Sequence, residues 1–434
     1  MIQNTPPAPI VPQSLWQATA PADEPHAPLE DAITADVTVI GAGFTGLRTA
    51  LNLAAAGTKV VVLDAADVAW GASGRTGGQV NPLLPFNSPQ RLHRLLGDTY
   101  FERVTEASLN SADELFELVR TYQIECQARQ NGWLRVNHST KAHNASLKDI
   151  ENWRAHGSTA EVVEGNELNY LTGTKAYLSG VITHKGGAVH PKMFAQGLAK
   201  AASERGAQFF GKSPVLSLTK NGQKWVAKTP TGSVQSDWVV VATNGYSDDL
   251  LPGLSKSIVP LTPIQIATAP LPEAVINSIL PEGHTISDSR RVIMYARREP
   301  DNRLVYGGLG RPGPGETLSG FNWLRKDAER VYPQLQGAEW SHQWGGRIAI
   351  TDDHLPHLHE PQPGLLAGLG YNGRGVAMSM VVGRVLSERV LGASPDTLSL
   401  PVSKIKTVPF RRSKMFGMGT AIWFMRLLDY LETR

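Results

Sequence analysis

Residues 36–64 constrain this chain more than any other stretch. Residues 36–40 (DVTVI) form a short β-branched apolar run that breaks directly into Gly41-Ala42-Gly43-Phe44-Thr45-Gly46. A helix-like stretch over 47–56 follows, Gly57 stops it, and 59–63 (KVVVL) reads as a second buried parallel strand ending in Asp64 and Ala65. In such a unit Gly41 permits the tight turn, Gly43 lets the backbone approach a pyrophosphate, and Gly46 lets helix and strand pack closely. The helix N-terminus then faces the phosphates, and Asp64 stands at the roughly 20-residue spacing where a carboxylate meets ribose hydroxyls. The pattern predicts an α/β chain with a dinucleotide in its first βαβ unit. An acid at position 64 disfavours a 2′-phosphate, but the motif alone does not separate NAD from FAD.

The remainder of the chain bears on that choice. Just after the second strand comes Trp70-Gly71-Ala72-Ser73-Gly74-Arg75-Thr76-Gly77-Gly78-Gln79, too rich in glycine for a core element and suited to wrapping a ligand. Here the chain resembles the D-amino acid oxidase superfamily of FAD-dependent oxidoreductases, and within it the γ-glutamylputrescine oxidoreductase branch. That branch reads Ala-Ser-Gly-Arg-Asn-Gly-Gly-Gln, from which this chain departs only at Thr76. The likeness continues in the family's order. Residues 187–191 (GAVHP) and a helix over 194–205 look like the return into the nucleotide domain. Residues 213–218 (SPVLSL) look like the strand whose backbone near Val215 meets adenine. Residues 238–244 (WVVVATN) look like the buried strand ending in Ala242, Thr243 and Asn244. Finally 365–369 lead into Gly370-Tyr371-Asn372-Gly373-Arg374-Gly375 and a helix over 376–390, whose N-terminal amides can face charge developing on a flavin.

The resemblance implies a Rossmann-like FAD domain with a second, sheet-based substrate domain, of the D-amino acid oxidase and glutathione reductase-like kind. The expected boundaries are an extended arm over 1–30 and a discontinuous FAD domain over 31–92, 184–255 and 345–400. The substrate domain takes 93–183 and 256–344, and a helical segment takes 401–434. Within the substrate domain, 292–297 and 303–308 read as a hairpin over the flavin face, with Tyr295 and Arg297 as catalytic-site candidates. Two departures bear on the substrate. Where family amino acid oxidases carry an arginine for the α-carboxylate, the run Trp344-Gly345-Gly346-Arg347-Ile348-Ala349 offers Ile348, which cannot replace a planar fork. Sarcosine-type relatives link FAD through a cysteine near Gly345, and the lone cysteine here, Cys126, lies far away, so the flavin is expected to be non-covalent.

The implied activity is hydride removal from the carbon beside an amine nitrogen, giving an imine that hydrolyses. Oxygen, reduced to hydrogen peroxide, or another acceptor takes the electrons. The substrate is expected to be a small amine without an α-carboxylate, such as a γ-glutamyl diamine, with Arg297 able to meet a charge at its far end. The alternatives are a dehydrogenase serving a quinone or carrier, a glycine-, D-amino acid- or sarcosine-type oxidase, and, as a different class, a flavin-stabilised binding subunit. Where some relatives carry a lysine beside the flavin, this chain has Val305.

Composition adds exclusions. With 42 basic and 39 acidic residues the net charge is +3, which offers nucleic acid no basic excess. One cysteine admits no internal disulfide and suits a reducing compartment, and the Pro-rich start (Pro6, Pro7, Pro9, Pro12, Pro21, Pro25, Pro28) has no export pattern, so a cytoplasmic protein is expected. His354, His357 and His359 read as a polar rim loop without metal. Residues 410–431 read as a C-terminal helix packed on the body, too interrupted by charge to span a membrane, with surface attachment through Arg411, Arg412, Lys414 and Arg426 as the alternative.

Overall fold

A computed structural model of the chain describes residues 13–22, 25–312 and 317–432, so Pro6, Pro7, Pro9 and Pro12 lie outside the described residues. The β-branched runs become buried parallel strands, as Val, Ile and Leu covered on both faces require. Val37–Ile40 and Val60–Leu63 lie side by side in a seven-stranded sheet, with Gln208–Phe210 beyond the second and Trp238–Val241, Leu365–Leu369, His357–Gln362 and Val402–Ser403 on the other side of the first. Only the pairing of His357–Gln362 with Leu365–Leu369 is antiparallel. The helices Phe44–Ala55, Pro191–Ser203 and Gly375–Val390 share one core cluster against this sheet.

A second domain is built on an eight-stranded sheet in the order Trp340–Gly345, Pro263–Thr268, Leu304–Leu309, Tyr295–Arg298, Thr285–Asp288, Trp133–Asn137, Ser179–Thr183 and Glu161–Glu164. Its far face carries a separate apolar cluster that includes Met294, Ala296, Leu304, Tyr306 and Leu324. Because side chains alternate along a strand, Tyr295 and Arg297 point the other way, toward the first domain.

Four expectations change. The helices Pro89–Leu109 and Ser111–Thr121, expected mainly in the substrate domain, bury Leu92, Phe101, Leu115 and Phe116 in the nucleotide-domain core. Arg48, Glu114 and Arg384 explain the attachment: both guanidinium groups reach one oxygen of Glu114, at 3.1 and 3.0 Å. The arm is not extended throughout, since Ser14 caps a helix over Leu15–Thr19 that buries Trp16 completely. The strand near Val215 begins only at Ser217, while Val215 itself is a buried linker residue in the core beside the nucleotide sheet. The C-terminal segment starts with the edge strand Val402–Ser403 before its helix Arg411–Glu432.

That last helix is held by Arg291, which donates to Asp429 at 2.8 Å and to Glu432 at 2.7 Å, and by Arg426 stacked 3.8 Å over Trp323. His138 completes a cluster with the two carboxylates, which Arg291 already occupies. Among the described residues no helix is long and apolar enough to cross a membrane.

The shared Glu114 gives a stability test. Glu114→Ala should strand the buried Arg48 guanidinium, while Arg384 keeps Glu388 at 2.8 Å, and lower unfolding free energy by about 3 kcal/mol, whereas adding Arg48→Met should return part of that loss, measured by thermal unfolding of the three proteins.

Candidate flavin-binding and active site

The glycine turn is built as its residue types require. Gly41 has φ +105°, and a Cβ on Gly46 would stand 2.0 Å from the Gly41 carbonyl oxygen, so only glycine lets this helix start so close to its strand. A Cβ on Gly43 would meet the Ser73 hydroxyl at 3.0 Å, and that hydroxyl accepts the Phe44 N–H at 2.9 Å. Ser73 thus ties the glycine-rich loop to the N-terminus of the first helix. Ala72–Gly74 form a single helical turn closed against Ala69. Thr45 and Tyr371 share a hydroxyl–hydroxyl contact that joins the first helix to the C-terminal glycine turn. Asp64 accepts the N–H groups of Ala42 and Ala66, both at 2.8 Å, while burial pushes its carboxyl up to about 6. Ala65, next to it, is exposed.

The loop that follows is held almost entirely through its carbonyls. Trp344 Nε1 donates to Arg75 O at 3.0 Å, Trp16 Nε1 to Thr76 O at 2.7 Å, and Arg297 Nη1 to Gly77 O at 3.2 Å and Gly78 O at 3.0 Å. Gln79 then reaches across to the carbonyls of Ile286 and Ala296. The N–H groups of Thr76, Gly77 and Gly78 have no hydrogen-bond partner among the described residues. Arg75 itself stacks on Trp70, 4.2 Å from the ring centroid.

Tyr295 and Arg297 both face this loop, as the hairpin reading expects, with Tyr295 opposite Gly307 and Arg297 opposite Val305. The Tyr295 ring packs on two bare glycines: a Cβ would meet it at 3.0 Å from Gly77 and at 2.0 Å from Gly307. Its hydroxyl accepts from Gln265 at 2.7 Å, and burial pushes its pKa up, so it is neutral. Arg297 has a different task from the one expected. It is 1% exposed, binds Glu299 through Nε at 2.5 Å and Nη2 at 2.8 Å, and spends Nη1 on Gly77, Gly78 and Val189. The guanidinium is therefore a clasp on the loop and is not open to a substrate carboxylate. Beside it, burial first and Arg297 second hold the His190 imidazole down at about 4, and its Nδ1 caps the helix Pro191–Ser203.

At the other glycine turn, Asn244 accepts the Gly370 N–H at 3.0 Å, linking the ends of two adjacent parallel strands beside Ala242 and Thr243. Asn372 is buried, its amide spent on Thr351 and Gly370. Gly373 has φ +89° and is exposed, with open space where a Cβ would stand, and Gly375 begins the helix Gly375–Val390. Arg374, between them, turns away over the Trp133 ring. Sequence reasoning missed Trp16, Gln265 and Glu299. Glu299 was findable, because residues i and i+2 of a strand share a face and a buried arginine needs a carboxylate.

These pieces form a cradle of open backbone amides, two helix N-termini and a terminal acid. A sequence model described as FAD dependent oxidoreductase (DAO) matches residues 36–389. The chain belongs to that family. It is 30% identical over 430 residues to the gamma-glutamylputrescine oxidoreductase of Escherichia coli, covering 95% of this chain and 97% of the relative. It is 31% identical to the probable oxidoreductase OrdL of Haemophilus influenzae, covering 84% and 85%. Among solved structures, glycine oxidase from Geobacillus kaustophilus superposes with TM-score 0.70 at 20% identity, over 83% of this chain and 95% of that one. Iminodiacetate oxidase from Chelativorans sp. gives 0.68 at 19%, over 84% and 99%. The protein is an FAD-dependent oxidoreductase.

Two outcomes test the cradle. Trp16→Phe keeps an aromatic ring but leaves the Thr76 carbonyl without its donor, so the FAD dissociation constant should rise about tenfold, measured by titrating the apoprotein with FAD. Asp64 is charged above about pH 6 and takes up a proton below it, so FAD affinity should fall between pH 7 and pH 5. Asp64→Asn should bind weakly across that range with a flattened profile.

Proposed function

We propose that this family member oxidises a CH–NH bond of a small amine lacking an α-carboxylate, with FAD held non-covalently between residues 72–79, the turn at 41–46 and the turn at 370–375. The observation that carries the reading is the set of three open amides at Thr76, Gly77 and Gly78, fixed from behind by Trp16, Trp344 and Arg297. Bound FAD supplies the hydride acceptor. The chain's part is positioning and charge. The amides at 76–78 and at the start of the helix Gly375–Val390 face the cofactor side as fixed dipoles that favour negative charge there. Asp64 receives the adenosine ribose. Tyr295, neutral and pinned by Gln265, presents a flat ring that shapes the amine side.

The amine must arrive neutral, since protonation removes the lone pair that supports the departing hydride. Loss of the nitrogen proton leaves an imine, and water converts it to a carbonyl compound and the free amine. Ile348, paired with Leu261 on a short edge ribbon, leaves an α-carboxylate without a fork of donors. The resemblance to the gamma-glutamylputrescine oxidoreductase supports an amine rather than an α-amino acid. A second reading, electron delivery to a quinone or carrier, is favoured by Val305, which lies 1% exposed beneath Leu15 and Trp16 and offers oxygen no cation.

The purified protein should be yellow, and acid precipitation should release all flavin to the supernatant; flavin retained in the pellet contradicts non-covalent binding. Anaerobic mixing with amines and with the matched α-amino acids should bleach the flavin faster for the amines, by at least about tenfold. Faster bleaching by α-amino acids removes the substrate assignment. Peroxide yield in air separates oxygen from a carrier as acceptor.

A further inference from the structure

Beyond the loop, the inner face of the eight-stranded sheet bears a cavity of about 420 Å³, walled by Trp133, Arg135, Asp149, Trp153, Val181 and Arg374 and bordered by residues 82–88. One cross-strand row connects it to the cradle. Trp344 pairs with Gln265, Gln265 with Gly307, Gly307 with Tyr295, Tyr295 with Ser287, Ser287 with Arg135 and Arg135 with Val181. Residues directly opposite one another stand on one face, so Tyr295 and Arg135 look the same way two strands apart, about 10 Å. The cavity and the cradle also share both bounding elements. Residues 82–88 continue the loop past Gln79, and Arg374 lies between Gly373 and Gly375.

The charges in this cavity do not balance. Arg135 has a partner in Asp149, at 3.0 Å. Lys185, at the rim, is paired with Asp113 at 2.7 Å. Arg374 has no carboxylate partner among the described residues. Its Nε donates to the Leu83 carbonyl at 3.2 Å and its guanidinium lies 4.7 Å from the Trp133 ring centroid. Neither Nη1 nor Nη2 has a hydrogen-bond partner among the described residues. Burial, and then the nearby charge of Arg135, bring its pKa down to about 10, still cationic near neutrality. A half-buried guanidinium stacked on an indole, with its fork open to a cavity, is built to receive a planar anion bidentately.

We infer that this cavity is the subsite for a carboxylate at the far end of the amine substrate, received by Arg374 with Arg135 beside it. The inference rests on the amine reading under Proposed function and specifies its substrate class: an amine whose carboxylate lies several methylene groups, or an acyl linkage, away from the reacting nitrogen. Trp133, Trp153 and Val181 supply the apolar wall along which such a chain lies. The task expected of Arg297 thereby passes to Arg374.

The test uses the FAD-loaded enzyme and two probes. In anaerobic reduction, 6-aminohexanoate should show a kcat/KM at least about tenfold above hexylamine, and Arg374→Met should collapse that ratio toward one. Adipate, which cannot be oxidised at an amine carbon, should bind saturably, read by flavin absorbance and tryptophan fluorescence. Its Kd should rise about 10- to 100-fold in Arg374→Met and less in Arg374→Lys. No preference for 6-aminohexanoate in the unmodified enzyme, absence of saturable adipate binding, or equal adipate affinity in Arg374→Met each overturns the subsite. Arg374-dependent adipate binding in an enzyme that no amine reduces would keep the subsite and overturn the amine reading instead.

Discussion

The buried guanidinium of Arg297 is the contact on which the placement of the two domains around the cofactor loop depends. Taking an arginine out of water is costly unless a carboxylate and further hydrogen bonds compensate it. Glu299 supplies the first, in a side-by-side pair from the same hairpin, and the carbonyls of Gly77, Gly78 and Val189 supply the rest. Arg129 lies 3.8 Å from the same carboxylate and reinforces it. The pair is internal to the second domain, while its remaining donors reach two segments of the first. Lysine, with one compact ammonium group, has no geometry that reaches all of these at once.

The clasp imposes a polarity on the loop. Each carbonyl taken from the second domain's side fixes the orientation of a peptide plane, and the N–H of the next residue must then face elsewhere. Trp16 and Trp344 extend the same logic to Thr76 and Arg75, and their rings meet edge to face at 5.7 Å, with the Arg297 guanidinium 5.1 Å from the Trp16 ring. The glycines at 77 and 78 are needed because Tyr295 and Arg297 occupy the space their side chains would take. A neutral His190 nearby leaves the field of this region to peptide dipoles and to one paired arginine. An environment fixed before the cofactor arrives is what an electron-accepting ring requires, since no reorganisation is then needed as charge develops.

The turns are legible in the sequence wherever covalent geometry alone decides. Gly41 and Gly46 admit no other residue at their φ or contact distance, and the VVVL and WVVV runs, bounded by turn residues, read as the buried strands they form. The hairpin is legible from alternation. Partnership is not, because an amphipathic helix records that it has an apolar face without recording what covers it. Hence the patterns of Pro89–Leu109 and Ser111–Thr121 do not reveal their domain, although Glu114, an acid near the start of its helix, is what two arginines of the nucleotide domain seek. Trp16 is hidden in a proline-rich arm, and Arg374 reads as part of a glycine turn although its side chain leaves that turn altogether.

The two arginines of the site show how pairing separates scaffold from recognition. Arg297 carries its own carboxylate two residues away and has nothing left to offer a ligand, whereas Arg374 faces a cavity with an open fork and a like charge for company. Placing the anchoring charge there, and not beside the reacting carbon, has an electrostatic consequence. Hydride transfer adds negative charge to the flavin, and a substrate carboxylate about 4 Å away would oppose it by roughly 4 kcal/mol at an effective dielectric constant of about 20. At about 10 Å the same repulsion falls below roughly 2 kcal/mol, and Arg374 neutralises most of what remains. A site that has Ile348 in place of an arginine and Arg374 over Trp133, beside the far end of the sheet row, therefore gains orientation from a carboxylate while keeping its charge away from the bond that breaks.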